Sequence, residues 1–296
     1  MSLAAFHRYL RHERRFSEHT LAAYRRDTEQ FVHFLQGTYE ITDPAAATAP
    51  MIRSWLVELL EAGRAAASIR RKLSSLKSLY HFLREREGLA KDPTLHLPVP
   101  KLPRRLPPVI PAADLARLLD HLRQREDFSG RRDAALLEVL YGTGIRRGEL
   151  LQLTLADIDS ANGRLRVRGK GDKERLVPFG KTTARAIETY LDARRTEFPD
   201  ADGSSFLLTD SGRPPYPKWV YNKVCGHLAA ITTQPQRGPH TLRHSFATHL
   251  TDNGADLNAV KSLLGHANLA ATQRYTHNSI EKIKQVYRQA HPKSGS

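Results

Sequence analysis

The sequence predicts a mainly α-helical protein of two domains, with a small β-hairpin or sheet in the second domain. Its 296 residues exceed the usual size of one domain, which is roughly 100 to 200 residues. Apolar residues recur at helical spacing along most of the chain, whereas segment 164–179 alternates polar and apolar residues. Between the two helical parts lies a run of prolines: Pro98, Pro100, Pro103, Pro107, Pro108 and Pro111. Because prolines at this density favour an extended connection, we expect a first domain over 1–97, a linker over 98–111 and a second domain over 112–296.

Positive charge is the unusual feature of the composition. The chain has 46 Lys and Arg against 31 Asp and Glu, a net charge of +15, which favours a polyanionic partner such as nucleic acid or an acidic membrane. The parts before and after the linker residue Leu106 carry +7 and +8, so neither is neutral. No apolar stretch approaches the roughly 20 residues that cross a bilayer, and the N-terminus lacks a signal-peptide pattern. We therefore expect a soluble, cytoplasmic protein with no membrane insertion.

Several kinds of site are excluded by the residues present. One cysteine, Cys225, permits neither an internal disulfide nor a cysteine-pair zinc site, and we interpret it as a packing residue. His240, His244 and His249 lack the glutamate that follows the first histidine of the metalloprotease motif. The glycines before Lys170 have the wrong spacing for a P-loop. We expect no metal and no cofactor.

Three amphipathic helices are expected in the first domain. The first begins after the N-cap Ser17 and ends at Gly37, and the second runs from Thr48 to Gly63. The third has an apolar stripe of Ile69, Leu73, Leu76, Tyr80 and Leu83. Its other side carries Arg70, Arg71, Ser74, Ser75, Lys77 and Ser78. Such a face suits phosphate contacts, although an ordinary solvated helix face has the same pattern.

The second domain is expected to begin with helices over 112–122 and 131–141. A glycine turn follows, and another helix starts at Arg146. The hairpin over 164–179 has its turn at Lys170, and helices dominate from residue 181 to the end.

The candidate residues for chemistry are scattered along the second domain. They are Arg146, Lys170, His240, Arg243, His266 and Tyr275. Taken singly, each has an ordinary structural interpretation: a salt bridge, a solvated lysine or a packed tyrosine. His240 and Arg243 lie three residues apart and share one face of a helix. Two arginines and a histidine at one phosphate make chemical sense, because guanidinium groups grip nonbridging oxygens and stabilise a pentacovalent transition state.

Four segments resemble motifs of the tyrosine recombinases, the phage-integrase family. Segment 141–150 (YGTGIRRGEL) is similar to the first arginine box, and 240–249 (HTLRHSFATH) to the second. Segment 169–175 (GKGDKER) resembles the lysine turn, and 263–277 resembles the segment that ends in the nucleophile. The sequence departs from the family's pattern at Arg147 and Gly148. The helical first part fits the family's core-binding domain, so the resemblance covers nearly the whole chain.

The resemblance implies a two-domain, C-shaped DNA clamp that acts without metal or ATP. Tyr275 would attack a phosphodiester and form a 3′-phosphotyrosyl link. The other implied catalytic residues are Arg146 and Arg243 as phosphate clamps, Lys170 as general acid, His240 as base and His266 as a hydrogen-bond donor, with Glu149 in support. The implied DNA-binding residues are Arg70, Arg71, Ser74, Lys77, Arg104 and Arg105.

Within the family, the short length and the tail helix most resemble the Xer recombinases, XerC more than XerD. That likeness implies a double-stranded DNA recombination site, a second Xer-type recombinase in a tetramer on two sites, a DNA translocase at the septum and association with the nucleoid. Three alternatives stay open: an integrase or resolvase of a mobile element or plasmid, a type IB topoisomerase, and a DNA-binding regulator that has lost catalysis.

Overall fold

A computed structural model describes residues 3–97, 108–169, 174–201 and 203–265. The described residues divide into two compact units, one over 3–97 and one from 108 onward. Six residues with predicted roles lie outside the described ranges: Arg104, Arg105, Lys170, His266, Tyr275 and the linker residue Leu106. Across the described helices, none is both long and apolar enough to cross a membrane.

The first unit consists of four helices around one apolar core. They are α1 (Leu3–His12), α2 (Glu18–Tyr39), α3 (Ala49–Glu61) and α4 (Ala66–Glu87), with a 3₁₀ turn at Pro44–Ala46. The predicted stripe of α4 is buried in this core, together with Phe31, Ile52 and Trp55. Ser17 caps α2 as predicted, because its side chain accepts a hydrogen bond from the Thr20 N–H.

The predicted end of α2 at Gly37 is wrong, because the helix continues to Tyr39. Gly37 is exposed and its backbone stays helical, at the modest cost that glycine has inside a helix. Tyr39 packs edge-on against Phe34, with 5.9 Å between ring centroids, and this contact favours the extra half-turn. The left-handed residue that ends the helix is Glu40.

The second unit contains seven helices and one small sheet within the described ranges. The helices are α5 (Ala112–Arg123), α6 (Phe128–Thr143), α7 (Arg147–Gln152), α8 (Lys181–Glu197), α9 (Pro217–Ala229), α10 (Pro239–Asp252) and α11 (Leu257–Leu264). The strands are β1 (Ile158–Asp159), β2 (Arg164–Arg168) and β3 (Glu174–Pro178), and a 3₁₀ turn spans Leu155–Asp157. The expectation of a mainly helical fold with a small sheet is confirmed.

The sheet has the order β1-β2-β3, and both pairings are antiparallel. Arg168 pairs with Glu174 at the end of the hairpin next to the predicted turn. Val167, Arg175 and Val177 are buried on one face of this ribbon. Two of these are ordinary core residues, whereas Arg175 is a charged residue on the inward face.

Helix α6 is the central element of the second unit. Every residue from Arg132 to Thr143 is buried, and α5, α8 and α10 pack around the helix. A helix that is buried on all sides provides a rigid support. Its C-terminal end leads directly into the turn before Arg146, so the core fixes the position of this predicted site residue.

Candidate active site

The turn between α6 and α7 presents Arg146. Helix α6 ends at Gly144, whose φ of 62° lies in the left-handed region. A Cβ at this position would lie 2.4 Å from the Phe246 ring, so only glycine fits both the conformation and the space. Two residues later, Arg146 is the N-cap of α7 and keeps 41% of its side chain exposed. The turn therefore directs a guanidinium group towards solvent at the edge of a rigid core.

Glu149 connects Arg146 to a second arginine. Its carboxylate accepts hydrogen bonds from the Arg146 backbone N–H and from Arg146 Nη1, both at 2.8 Å. It also accepts Nη1 and Nη2 of Arg175, at 2.9 and 2.8 Å, which is a bidentate fork. Burial opposes ionisation, but the hydrogen bonds and charges of Arg175 and Arg146 outweigh it and lower the pKa of Glu149. The carboxylate is thus charged and shared between two cations.

Arg243 reaches the same place from α10. Its Nη1 donates to the Gly144 carbonyl at 2.5 Å, and its Nη2 donates to the Leu264 carbonyl at 2.6 Å. Burial, and after it the like charge of Arg146, lowers the pKa of Arg243 to about 10. The guanidinium therefore stays protonated at neutral pH, although the site makes its charge costly.

Three arginines bind three successive carbonyl groups at the end of α11. Arg175 Nε donates to Leu263 at 3.3 Å, Arg243 to Leu264, and Arg146 Nη2 to Gly265 at 3.1 Å. Cations are favourable at a helix C-terminus, where free carbonyls carry partial negative charge. The next residue in the chain is His266, which lies outside the described residues.

These side chains suit an anionic ligand. The guanidinium groups of Arg146, Arg175 and Arg243 together with the Glu149 carboxylate carry a net charge of +2. Part of Arg146 remains exposed, so the excess charge is accessible from solvent. A phosphodiester would reduce the repulsion between the cations, and guanidinium groups match its oxygens in geometry.

The histidines of α10 differ in their surroundings. His240 is exposed, one turn before Arg243 on the same helix. His249 is buried and its Nδ1 lies 2.9 Å from the Tyr141 hydroxyl. Within the described ranges, no group of three His, Cys, Asp or Glu side chains is arranged to hold a metal ion.

The predicted site residues are thus only partly accounted for. Arg146, Glu149 and Arg243 lie together, and His240 shares the helix of Arg243. Lys170, His266 and Tyr275 fall outside the described residues. Arg175 was missed as a site residue. Its inward position on β3, in register with Val177, is the sequence signal that marks it, because a lone cation on the apolar face of a strand needs a partner.

In the first unit, the predicted DNA-binding residues of α4 are exposed: Arg70, Arg71, Ser74 and Lys77. Arg71 also forms an ion pair with the fully buried Asp27. The placement of Ser75 on the exposed face is wrong, because its hydroxyl is buried and donates to Asp27 at 2.8 Å. Lys72 is likewise buried and lies 3.1 Å from the same carboxylate. A buried acid at the centre of this helix therefore holds three of its polar side chains.

Comparison with known proteins identifies two matching domains. Residues 108–282 match the phage integrase family, and residues 3–87 match the N-terminal SAM-like domain of phage integrases. The chain belongs to the phage integrase family. A phage integrase of this kind is a tyrosine recombinase, an enzyme that cleaves and rejoins DNA, so this part of the prediction is confirmed.

Relatives within the phage integrase family match along nearly the whole chain. Tyrosine recombinase XerC of Pelobacter propionicus is 39% identical over 99% of this chain and 95% of its own. Tyrosine recombinase XerD of Halalkalibacterium halodurans is 36% identical over 99% and 98%. A crystal structure of the XerH recombinase bound to a difH substrate has the same fold, with a TM-score of 0.68 and 21% identity over 90% of this chain and 79% of its own. Similarity to the Xer group is therefore confirmed, whereas the choice of XerC over XerD stays a prediction.

Proposed function

We propose that this tyrosine recombinase joins DNA strands at specific sites through a covalent link to Tyr275. The observation that carries the proposal is the meeting of Arg146 and Arg243 at the end of α11. These residues come from different helices, yet they donate to the neighbouring carbonyls of Gly265 and Leu264. Their shared excess charge is what a scissile phosphate requires.

In the proposed mechanism, the Tyr275 oxygen attacks phosphorus in line and the bond to the 5′-oxygen breaks. The phenol proton passes to His240, and Lys170 gives a proton to the leaving oxygen. The products are a 3′-phosphotyrosyl link and a free 5′-hydroxyl. Attack by the 5′-hydroxyl of a partner strand reverses these steps, so bond energy is retained without ATP.

The remaining side chains would stabilise charge during the reaction. Arg146 and Arg243 would hold the nonbridging oxygens, which gain negative charge in the pentacovalent transition state. His266 would donate a further hydrogen bond to the phosphate, and Glu149 would orient Arg146 through the 2.8 Å contact. Because the Arg243 guanidinium is buried, its interaction with a phosphate is weakly screened by water.

DNA binding is proposed to involve both domains of the predicted division, 1–97 and 112–296, on either side of the linker. The exposed residues Arg70, Ser74 and Lys77 form one side of α4, where short hydroxyl side chains leave room for phosphates. Arg104 and Arg105 would add phosphate contacts from the linker. Together these contacts would close a C-shaped clamp around the duplex.

The biological role that we propose is the resolution of chromosome dimers with a second Xer-type recombinase. Four subunits, two of each kind, would act on two recombination sites, with activation by a DNA translocase at the septum. The protein would then be cytoplasmic and associated with the nucleoid. Identities of 36% and 39% to XerD and XerC enzymes support this role.

Supercoiled plasmids that carry two copies of a candidate site test the proposal. Purified protein, alone and with its partner recombinase, should give recombinant circles of defined size. A plasmid with one site provides the matched control. Relaxation of both plasmids without recombinant products would instead indicate a topoisomerase, and binding without strand cleavage would indicate a regulator.

A further inference from the structure

We propose that Arg175 is a positioning residue of the recombinase, acting through Glu149 and the end of α11 without touching DNA. The proposal rests on the function proposed above. Arg175 makes hydrogen bonds to two other chain segments. It binds Glu149 on α7 with both terminal nitrogens, and its Nε donates to the carbonyl of Leu263 on α11.

Each segment that Arg175 connects lies next to a proposed catalytic residue. Arg175 itself is the second residue of β3 and follows Lys170 by five positions. Glu149 holds the backbone and side chain of Arg146. The Leu263 carbonyl lies three positions before His266. A single side chain therefore links the lysine turn, the first arginine and the segment leading to the nucleophile.

Burial separates the role of Arg175 from that of Arg146. The Arg175 side chain is 8% exposed and that of Arg146 is 41% exposed. All three nitrogens of the Arg175 guanidinium already donate to protein acceptors. Arg146 keeps surface for a ligand, whereas Arg175 is committed to the protein. Arg175 can thus affect the phosphate only by fixing the groups that bind it.

The geometry requires an arginine at this position. A bidentate pair fixes both the distance and the rotation of the Glu149 carboxylate, which a single ammonium group cannot do. The guanidinium also fills the space beside Gly265, where a Cβ would lie 3.1 Å from its central carbon. Loss of the fork would leave Glu149 free to turn, and Arg146 would move with it. A shift of about 1 Å in a reacting group can cost about a hundredfold in rate.

Three full-length variants test this role. Arg175→Met removes the fork with little change in length, and Arg175→Lys keeps a charge without the fork. Arg194→Met is the matched control, because Arg194 is also buried and donates to backbone carbonyls, those of Gly203 and Ser205, without contacting the cluster. Circular dichroism checks folding, and gel shifts with a half-site measure affinity.

The decisive measurement is the single-turnover rate of strand cleavage on two nicked substrates. One has an ordinary scissile phosphate and the other a methylphosphonate, which carries no charge. On the phosphate, Arg175→Met should cleave about a hundredfold more slowly than wild type, with affinity changed by less than about threefold. On the methylphosphonate, the deficit should shrink to less than about tenfold, because a neutral group depends less on guanidinium placement. Arg175→Lys should behave like Arg175→Met, and Arg194→Met like wild type.

Equal deficits on the two substrates, or normal cleavage by folded Arg175 variants, would overturn the positioning role. So would misfolding of both Arg175 variants alongside a folded Arg194→Met, because Arg175 would then be needed for folding alone. If wild-type protein forms no adduct on the ordinary phosphate, the proposed function fails and the role of Arg175 fails with it.

Discussion

Arg243 donates a 2.5 Å hydrogen bond to the carbonyl oxygen of Gly144. The arginine of the second motif therefore holds the turn that presents the arginine of the first motif, two residues further along the chain. The same guanidinium holds Leu264 near the end of α11. The separation between the phosphate-binding groups is consequently set by direct bonds as well as by the packing of helices.

Replacement of Gly144 by alanine should destabilise the second unit. The left-handed φ of 62° costs a non-glycine residue about 1 to 2 kcal/mol, and displacement of the Phe246 ring adds about 1 to 3 kcal/mol. Urea unfolding measures the loss. Gly148→Ala is the control, because Gly148 lies in α7 with open space around it, and its free energy of unfolding should stay equal or rise by roughly 0.5 kcal/mol. Equal losses in both variants would contradict this interpretation of the turn.

Acid should weaken the cluster through Glu149. Its pKa is lower in the folded protein than in the unfolded chain, so its ionised form stabilises the fold at neutral pH. This contribution is complete above the unfolded value, about 4.3, and is lost as pH falls through the folded pKa. Urea unfolding of wild type and Glu149→Gln from pH 7 to pH 3 measures the effect. The variant should be less stable at pH 7 by about 1 to 3 kcal/mol and should lose less stability on acidification. Parallel pH curves would exclude the effect.

The local parts of the site could be predicted from the sequence. Arg146 and Glu149 lie three residues apart at a helix start, and His240 and Arg243 share one helix face, so spacing alone identifies both pairs. Helix α4 was likewise predictable from its stripe. Each of these patterns is contained within a few turns of one element.

The long-range contacts could not be predicted in the same way. Arg175 bonds to Glu149 and Leu263, which lie 26 and 88 positions away, and periodicity carries no information on such pairs. Ser75 and Lys72 were missed for the same reason, because their partner Asp27 belongs to another helix. The end of α2 depended on Tyr39 packing against Phe34, which overrode the glycine signal.

Lys170→Ala should slow cleavage of an ordinary site and be rescued by a 5′-phosphorothiolate. The sulfur leaves without taking a proton, so a general acid is no longer needed. Single-turnover rates on matched oxygen and sulfur substrates measure the rescue. Lys181→Ala, at the exposed start of α8, is the control and should cleave both substrates normally. If Lys170→Ala is equally slow on both, another residue is the acid.

Affinity for DNA should fall steeply with salt, and α4 should contribute to this dependence. Each phosphate contact adds about −0.9 to the slope of log affinity against log salt, so Arg70→Ala and Lys77→Ala should each make the slope shallower by about that amount. Both side chains are exposed on α4. Arg84→Ala is the control on the same helix, because Arg84 pairs with Glu85. Unchanged slopes in the first two variants would remove α4 from the DNA interface.

The central claim is that Tyr275 becomes covalently joined to DNA. Wild-type protein and Tyr275→Phe are incubated with a nicked recombination site, denatured and separated by gel electrophoresis, and any adduct is mapped by peptide mass. Wild type should give a denaturation-resistant adduct at Tyr275. Tyr275→Phe should bind the site with similar affinity and give none, since it lacks only the nucleophilic oxygen. An adduct in the variant, or one at another residue of wild type, would contradict the assignment.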